Sequence, residues 1–271
     1  MTLVETLVSM ALTLALSGMA LSLVSAGQTI ARTQPETGDL RQRARLALQL
    51  LGRELRGAGT GVEHGSLAGP LIRYFPPVTP SVDGAGITVW TTTSGEAQGV
   101  VALRADPGAT AVALGDSAGC PSGDGACAFT AGAPVIAFTS SGCRTAFEVA
   151  ATGTATLHLS APLAGCSLVT GSAVAQGEVR TYRVDPIARQ LIRHDEVTGS
   201  NAPLVDGVAE MTIAYYADAA GSEMVTGAGD AEWMRIRRVR ITLRFVASNP
   251  LLRIPDLVVA IDAAPRNLEG G

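Results

Sequence analysis

Lysine is missing from this chain: all 20 basic residues among its 271 are arginine. Charge of either sign is scarce, at 16% of residues against about 25% in an ordinary soluble domain. The net charge of −4 and an apolar content of 47% exclude an acidic disordered chain. A pI near 5.4 excludes a generic basic nucleic-acid binder. Histidine is nearly absent too, and His64, His158 and His194 are scattered, with no flanking catalytic signature. What remains is a globular body behind an apolar N-terminal segment.

The charge deficit is concentrated in residues 1–31, which hold a single charge, Glu5. Met1–Ile30 would rise about 45 Å as a helix, enough to cross a ~30 Å hydrocarbon core. A cleavable signal peptide needs a positive start, and the first basic residue here is Arg32. A plain transmembrane anchor gives no reason for Glu5. An unpaired carboxylate in apolar surroundings costs several kcal/mol and usually marks function; the bland alternative puts it idle at the water interface. Thr2 is small enough that an initiator Met1 would normally be removed. The simpler expectation is a short charged leader cut off before Met1. That leaves a free α-amine on the same helix face as the Glu5 carboxylate.

Met1-Thr2-Leu3-Val4-Glu5-Thr6-Leu7-Val8 resembles the mature N-terminus of type IV pilins and of type II secretion pseudopilins. The family pattern is Phe-Thr-Leu-(Ile/Val)-Glu-Leu-(Leu/Met)-Val, so Met1 replaces Phe and Thr6 replaces Leu. Neither change touches the amine or the carboxylate. The resemblance implies cleavage by a prepilin peptidase, N-methylation of Met1, and an assembly role for Met1 and Glu5. It also implies residence in the inner membrane, then entry into a filament of like subunits through an inner-membrane assembly platform. A buried carboxylate needs a cation, and a neighbouring subunit's positive N-terminus would supply one.

Gly18 and Gly27, each near serine, are expected weak points of the helix, or else small residues that allow close packing. Thr33–Asp39 interrupts the helical pattern, and Pro35 is expected to kink it. Beyond it Leu40, Ala44, Ala47/Leu48, Leu51 and Leu55 recur as an amphipathic stripe. Arg41, Arg45 and Arg53 fall off that stripe, and Gly57–Gly61 stops the helix. Arg43–Gly59 is similar to the second half of the long helix in PilW-like minor pilins and J-type pseudopilins. The expected organisation is 1–31 as anchor or filament core, 32–60 as the amphipathic half-helix, and 61–271 as a β-rich head.

In the head, short alternating runs between Gly, Pro and Ser turns read as strands. They are Leu71–Phe75, Ile87–Thr93, Gly99–Arg104, Val135–Thr139, Ala146–Ala150, Ala155–Ser160, Glu178–Val184, Gln190–His194, Met211–Tyr216, Arg235–Phe245 and Leu257–Ile261. Asp185-Pro186 initiates a strand–turn–strand unit. The fold class is α+β, a long helix packed on antiparallel sheet. Tyr182–Arg193, Pro203–Val208 with Tyr215-Tyr216, Val239–Arg244 and Pro265–Leu268 again resemble the PilW and J-type group. Residues 62–177 match no pattern of that group and read as an enlarged variable region.

The cysteines are Cys120, Cys127, Cys143 and Cys166, an even number outside the cytoplasm if the anchor holds. Cys120–Cys127 with Cys143–Cys166 is preferred among three connectivities, because the first pair brackets a turn-rich loop. Zinc is the rival, but no C-x₂-C spacing occurs. Gly115-Asp116-Ser117-Ala118-Gly119 matches a G-x-S-x-G nucleophile elbow, yet Cys120-Pro121-Ser122-Gly123 denies it the following helix. No enzymatic activity, metal or cofactor is expected. Arg238, Arg240 and Arg244 share one strand face and form a candidate interaction patch. DNA capture is one reading of it; pairing with acidic residues of neighbouring subunits is the more ordinary one. The function expected is a pilus-like filament subunit, serving adhesion, motility or DNA uptake. A periplasmic type II secretion pseudopilin is the alternative, and a membrane-tethered binding or hydrolytic domain that never polymerises is the second.

Overall fold

A computed structural model describes residues 3–93, 95–115, 117 and 120–265, leaving out the side chains of Glu5, Ala26 and Thr29. Helix α1 (Leu3–Gly57) runs unbroken for 55 residues, about 80 Å at 1.5 Å per residue. Gly59 turns the chain out of the helix at φ 78°, where a side chain would be strained. Its N–H donates to Trp90 O and its carbonyl accepts from Leu71 N, both at 3.0 Å.

The chain continues through β1 (Val78–Pro80), β2 (Gly86–Thr92), β3 (Gln98–Val100), β4 (Ala111–Ala113), β5 (Pro134–Phe138), β6 (Arg144–Thr152) and β7 (Thr156–Leu159). Then come β8 (Ala173–Asp185), β9 (Gln190–Asp195) and β10 (Asn201–Asp206). Among the described residues these make one ten-stranded antiparallel sheet with the order β1-β2-β8-β5-β6-β7-β4. Strand β8 is its hub: Ala173–Gln176 pairs with β3 and β5, while Gly177–Asp185 pairs with β2 and β9. A second sheet follows, built from β11 (Val208–Tyr216), β12 (Arg238–Phe245) and β13 (Leu257–Ala263) in that order. A single helical turn, α2 (Asp230–Trp233), precedes β12.

The α+β class is as the sequence implies: α1 packs on antiparallel sheet. Leu40, Ala44, Ala47, Leu51 and Leu55 are buried to 3% exposure or less. They meet Val239, Ile241, Leu243 and Phe245 of β12 in one core, together with Ile87, Val89 and Tyr182 of the large sheet. Burying each leucine of that stripe is worth roughly 1.5–3 kcal/mol, enough to seat the helix without any special contact.

The structure departs from the sequence reading at several places. Leu71–Phe75 is no strand; Leu71–Arg73 forms a 3-10 turn, because Pro70 and Pro76-Pro77 leave too short a run for sheet pairing. Of Gly99–Arg104 only Gly99 and Val100 lie in a strand, β3, which starts one residue earlier at Gln98. Arg235–Phe245 begins only at Arg238, since the α2 turn is still unwinding at Arg235 and Ile236, whose amides bond Glu232 O and Trp233 O. Strands β1 and β10 were hidden by Pro80 and Pro203, which edge strands tolerate. Pro35 does not interrupt α1. It removes one backbone bond from a helix held by many others on both sides, and its ring points into open surroundings at an exposed position. At the β8–β9 turn Asp185 Oδ1 accepts from Ile187 N and Ala188 N, at 2.8 and 2.9 Å.

Candidate functional site: the N-terminal helix and its seating on the head

Of α1, only the part from Leu40 onward is seated on the sheets. Toward the N-terminus the helix stands clear of the head. Leu3, Val4, Leu7, Val8, Met10, Leu12, Leu14, Leu16, Met19, Leu21, Leu23 and Val24 are each more than half exposed. At 100° per residue these positions cover most of the helix circumference, and the narrow strip they leave carries only the hydroxyls of Thr6, Ser9, Thr13 and Ser17. This segment is long and apolar enough to cross a membrane.

Its hydroxyls are arranged for an apolar setting as well. Thr6 donates to Leu3 O (2.9 Å), Thr13 to Ser9 O (2.7 Å), Ser22 to Met19 O (2.9 Å) and Ser25 to Ser22 O (2.9 Å). These four hydroxyls are satisfied within their own helix, which lowers the penalty for placing them in lipid or in a dry bundle. Glu5 sits within the first turns of α1; its side chain and Met1 lie outside the described residues. Gly18 and Gly27 continue the helix, and a Cβ at either would meet nothing within 4 Å. Both therefore leave a bare notch on the rod.

Where the rod meets the head, Arg43 forms a clamp that sequence reasoning missed. Its guanidinium pairs with Asp39 and Glu36 on the same helix and donates to Ser248 Oγ at 3.1 Å. Ser248 N returns a bond to Glu36 Oε1 at 2.5 Å. Gly207, at φ 78°, makes room: a Cβ there would lie 2.6 Å from Arg43 Nη1. Spacing in the chain gives no hint of this, since Ser248 is 205 positions away. A second tie joins Glu54 to Arg180 of β8 at 3.1 Å, with Glu178 beside the same guanidinium.

The candidate patch Arg238, Arg240 and Arg244 does lie on the outward face of β12, but it is not a free basic surface. Arg238 and Arg240 both bond Asp262 of β13, at 3.0 and 2.9 Å from their Nε atoms. Arg244 reaches Glu210 of β11 at 3.0 Å and Asp256 at 2.9 Å. The pairing follows from register, because Arg240 stands opposite Asp262 and Arg244 opposite Glu210. Hydrogen bonds from Arg240 and Arg238 hold the Asp262 carboxyl below the usual range. The acidic partners expected from neighbouring subunits are thus supplied by this chain itself.

Two disulfides close the head, Cys120–Cys127 and Cys143–Cys166, with Cα separations of 5.8 and 6.1 Å. No cysteine is free, so the zinc rival has no thiolate ligands. Ser117 is 8% exposed and donates to Gly125 O at 2.6 Å. Asp116, Ala118 and Gly119 lie outside the described residues. A buried hydroxyl bonded to a carbonyl is not presented as a nucleophile. His64 follows the helix in a loop, His158 is exposed on β7, and His194 on β9 bonds Asn201 at 3.0 Å.

No protein-family model and no curated protein matches this chain. The architecture itself, a long N-terminal apolar helix on antiparallel sheet, is compatible with that of a pilin.

Proposed function

We propose that this chain is a structural subunit of a type IV pilus-like filament, in the manner of a PilW-like minor pilin. The observation that carries the reading is the division of one continuous helix into two environments. Its second half is docked on the head from Leu40, while its first half is bare, apolar over most of its circumference and without charge beyond Glu5 up to Ala31. A single chain gains nothing from exposing such a rod to water. It is stabilised first by lipid and then by packing against the same rod of other subunits. Glu5, alone among apolar residues, then pairs with the α-amine of a neighbouring subunit and sets the axial register.

On this reading the partners are other copies or other pilins, prepilin peptidase and the assembly platform. The head lies outside the cytoplasm, where its two disulfides persist. Arg238, Arg240 and Arg244 are already neutralised, so DNA capture by the head loses its electrostatic basis.

Glu5→Ala tests the reading. The variant should reach the membrane at normal abundance, while its recovery in sheared surface filaments falls at least tenfold. Equal recovery of the variant and the native chain would refute the role of Glu5. A chain that stays in the membrane fraction in both forms would be a tethered domain instead. Filaments confined to the periplasm would place it among the pseudopilins.

A further inference from the structure

Only 4% of the residues are aromatic and two are tryptophan, Trp90 and Trp233. Both line the same cleft of about 480 Å³, although one belongs to β2 and the other to α2. This lies within the ~300–1,000 Å³ range of small-ligand sites. The cleft opens where β1 and β2 of the large sheet face α2, the turn between β11 and β12 of the small one. Its remaining wall is partly apolar, from Pro80, Val82, Ala146 and Val179, and Val82 stands fully exposed at the lip.

The polar groups of the cleft are pre-arranged. Arg144 forms a bidentate pair with Asp230, at 2.7 and 3.0 Å. Its guanidinium carbon lies 5.6 Å from the Trp90 ring centre and 5.2 Å from that of Phe75. Phe75 meets Trp90 edge-on, so the indole is braced from behind. Thr181 donates to Glu196 and shares a 2.7 Å bond with Thr88. With the Thr181 proton committed to Glu196, Thr88 must be the donor in that bond, leaving its oxygen lone pairs to the cleft. The second lone pairs of Asp230 and the Nε–H of Arg144 are not used by their mutual pair.

These arrangements eliminate most ligand classes. Arg144 is engaged by Asp230, and Glu196 adds a further negative charge, so an anion such as phosphate is not favoured. The cation position over Trp90 is occupied by Arg144, so a quaternary ammonium group finds no place on that ring. A purely apolar side chain would strip water from Glu196 and Thr88 without replacing its bonds. A ligand that suits the cleft is neutral, with apolar C–H faces for the indoles and a rim of hydroxyls for the acceptors.

We propose that the Trp90–Trp233 cleft binds a neutral saccharide. Trp233 serves as the open stacking platform, and Thr88, Glu196 and the Arg144–Asp230 pair bond the ring hydroxyls. The inference does not depend on filament assembly, because the whole cleft belongs to one chain. The two tryptophans also supply a readout, since fluorescence excited selectively at tryptophan reports on this cleft alone.

The test uses the full chain in a sugar-free polyoxyethylene detergent, titrated with trisaccharides of glucose, of galactose and of N-acetylglucosamine. At least one should give a saturable fluorescence change. Trp233→Ala should weaken the affinity at least tenfold when read by titration calorimetry, which needs no tryptophan, and Glu196→Gln should weaken it in the same readout while preserving the circular dichroism spectrum of the native chain. Inorganic phosphate and tetramethylammonium should give no saturable change. Absence of a saturable response to all three sugars overturns the proposal. So does a sugar response that survives both substitutions, or one reproduced by tetramethylammonium.

Discussion

Arg180 Nη1 donates to Glu54 Oε2 across 3.1 Å, joining a helix residue to a strand residue 126 positions away. The two side chains are 20% and 12% exposed, so the pair is only partly solvated. Glu178, two residues earlier on β8, lies against the same guanidinium at 33% exposure. The cation therefore has one partner across the helix–sheet junction and one on its own strand. Together they raise the Arg180 guanidinium further above its ordinary range, although burial alone, the largest influence, would lower it.

Glu54→Ala removes the inter-element partner and leaves Arg180 half-buried with Glu178 alone. The expected loss is about 2 kcal/mol, in the range for stripping a charged partner from a partly buried group. Glu178→Ala should lose less, because that carboxylate is better solvated. Thermal unfolding of the two variants checks the order. A larger effect at Glu178 would show that the strand contact, not the helix contact, holds the guanidinium.

The two disulfides enclose loops of different length, with sequence separations of 7 and 23. Chain-entropy reasoning gives ~2.4 kcal/mol for the shorter loop and ~3.4 kcal/mol for the longer. Cys143→Ser with Cys166→Ser should therefore lower the unfolding midpoint in denaturant more than the Cys120–Cys127 double variant. The reverse order would mean that native-state packing near Cys120 outweighs loop entropy.

Asp262 bonds both Arg238 and Arg240 while Glu210 and Asp256 bond Arg244, so three carboxylates balance the three guanidinium groups. The native chain should consequently give no salt-dependent shift with double-stranded DNA. Asp262→Asn frees two guanidinium groups on one strand face and should produce weak binding that vanishes as salt rises. DNA binding by the native chain at physiological salt would contradict the neutralised patch.

Several carboxyls titrate below their usual range: Asp230 through its hydrogen bonds from Arg144, Asp262 through Arg240 and Arg238, and Asp83 through Ser81. A carboxyl with a depressed folded-state pKa binds protons more readily when unfolded. Its stabilisation is complete above the ordinary carboxyl range, near about pH 4, and is lost as pH falls through the folded value. Unfolding temperature should stay level above about pH 5 and drop on the acid side. In Asp230→Asn the acid-side drop should be shallower, because that group no longer titrates. An unchanged slope would mean that Asp230 contributes nothing to acid sensitivity.

Much of the architecture was legible because it rests on local pattern. The run of apolar residues from Leu3, the Leu40–Leu55 stripe and the glycine stop are all periodic or adjacent features, and each appears where the pattern places it. Strands β2, β5, β6, β8 and β9 were readable from alternation, although their ends shifted. Leu71–Phe75 misled because burial alone does not make a strand: Leu71 is a core residue of a 3-10 turn and Phe75 a core residue just after it. The prolines of β1 and β10 had the opposite effect, masking strands that need few ladder bonds.

The charged network was not legible in the same way. Arg43 reads as one arginine among many on a polar helix face, yet Ser248 and Gly207 make it a clamp. Arg238, Arg240 and Arg244 read as a patch, because sequence shows the face they share but not what stands across from them. Strand register decides that, and it brings Asp262 and Glu210 opposite. The meeting of Trp90 and Trp233 is of the same kind, since they lie on separate elements. By itself the sequence determined the apolar rod, its single carboxylate and the seating stripe, because helix period and hydrophobicity are local properties. Only the tertiary structure decided which charges are free and which side chains share a cleft, because both depend on contacts between strands far apart in the chain.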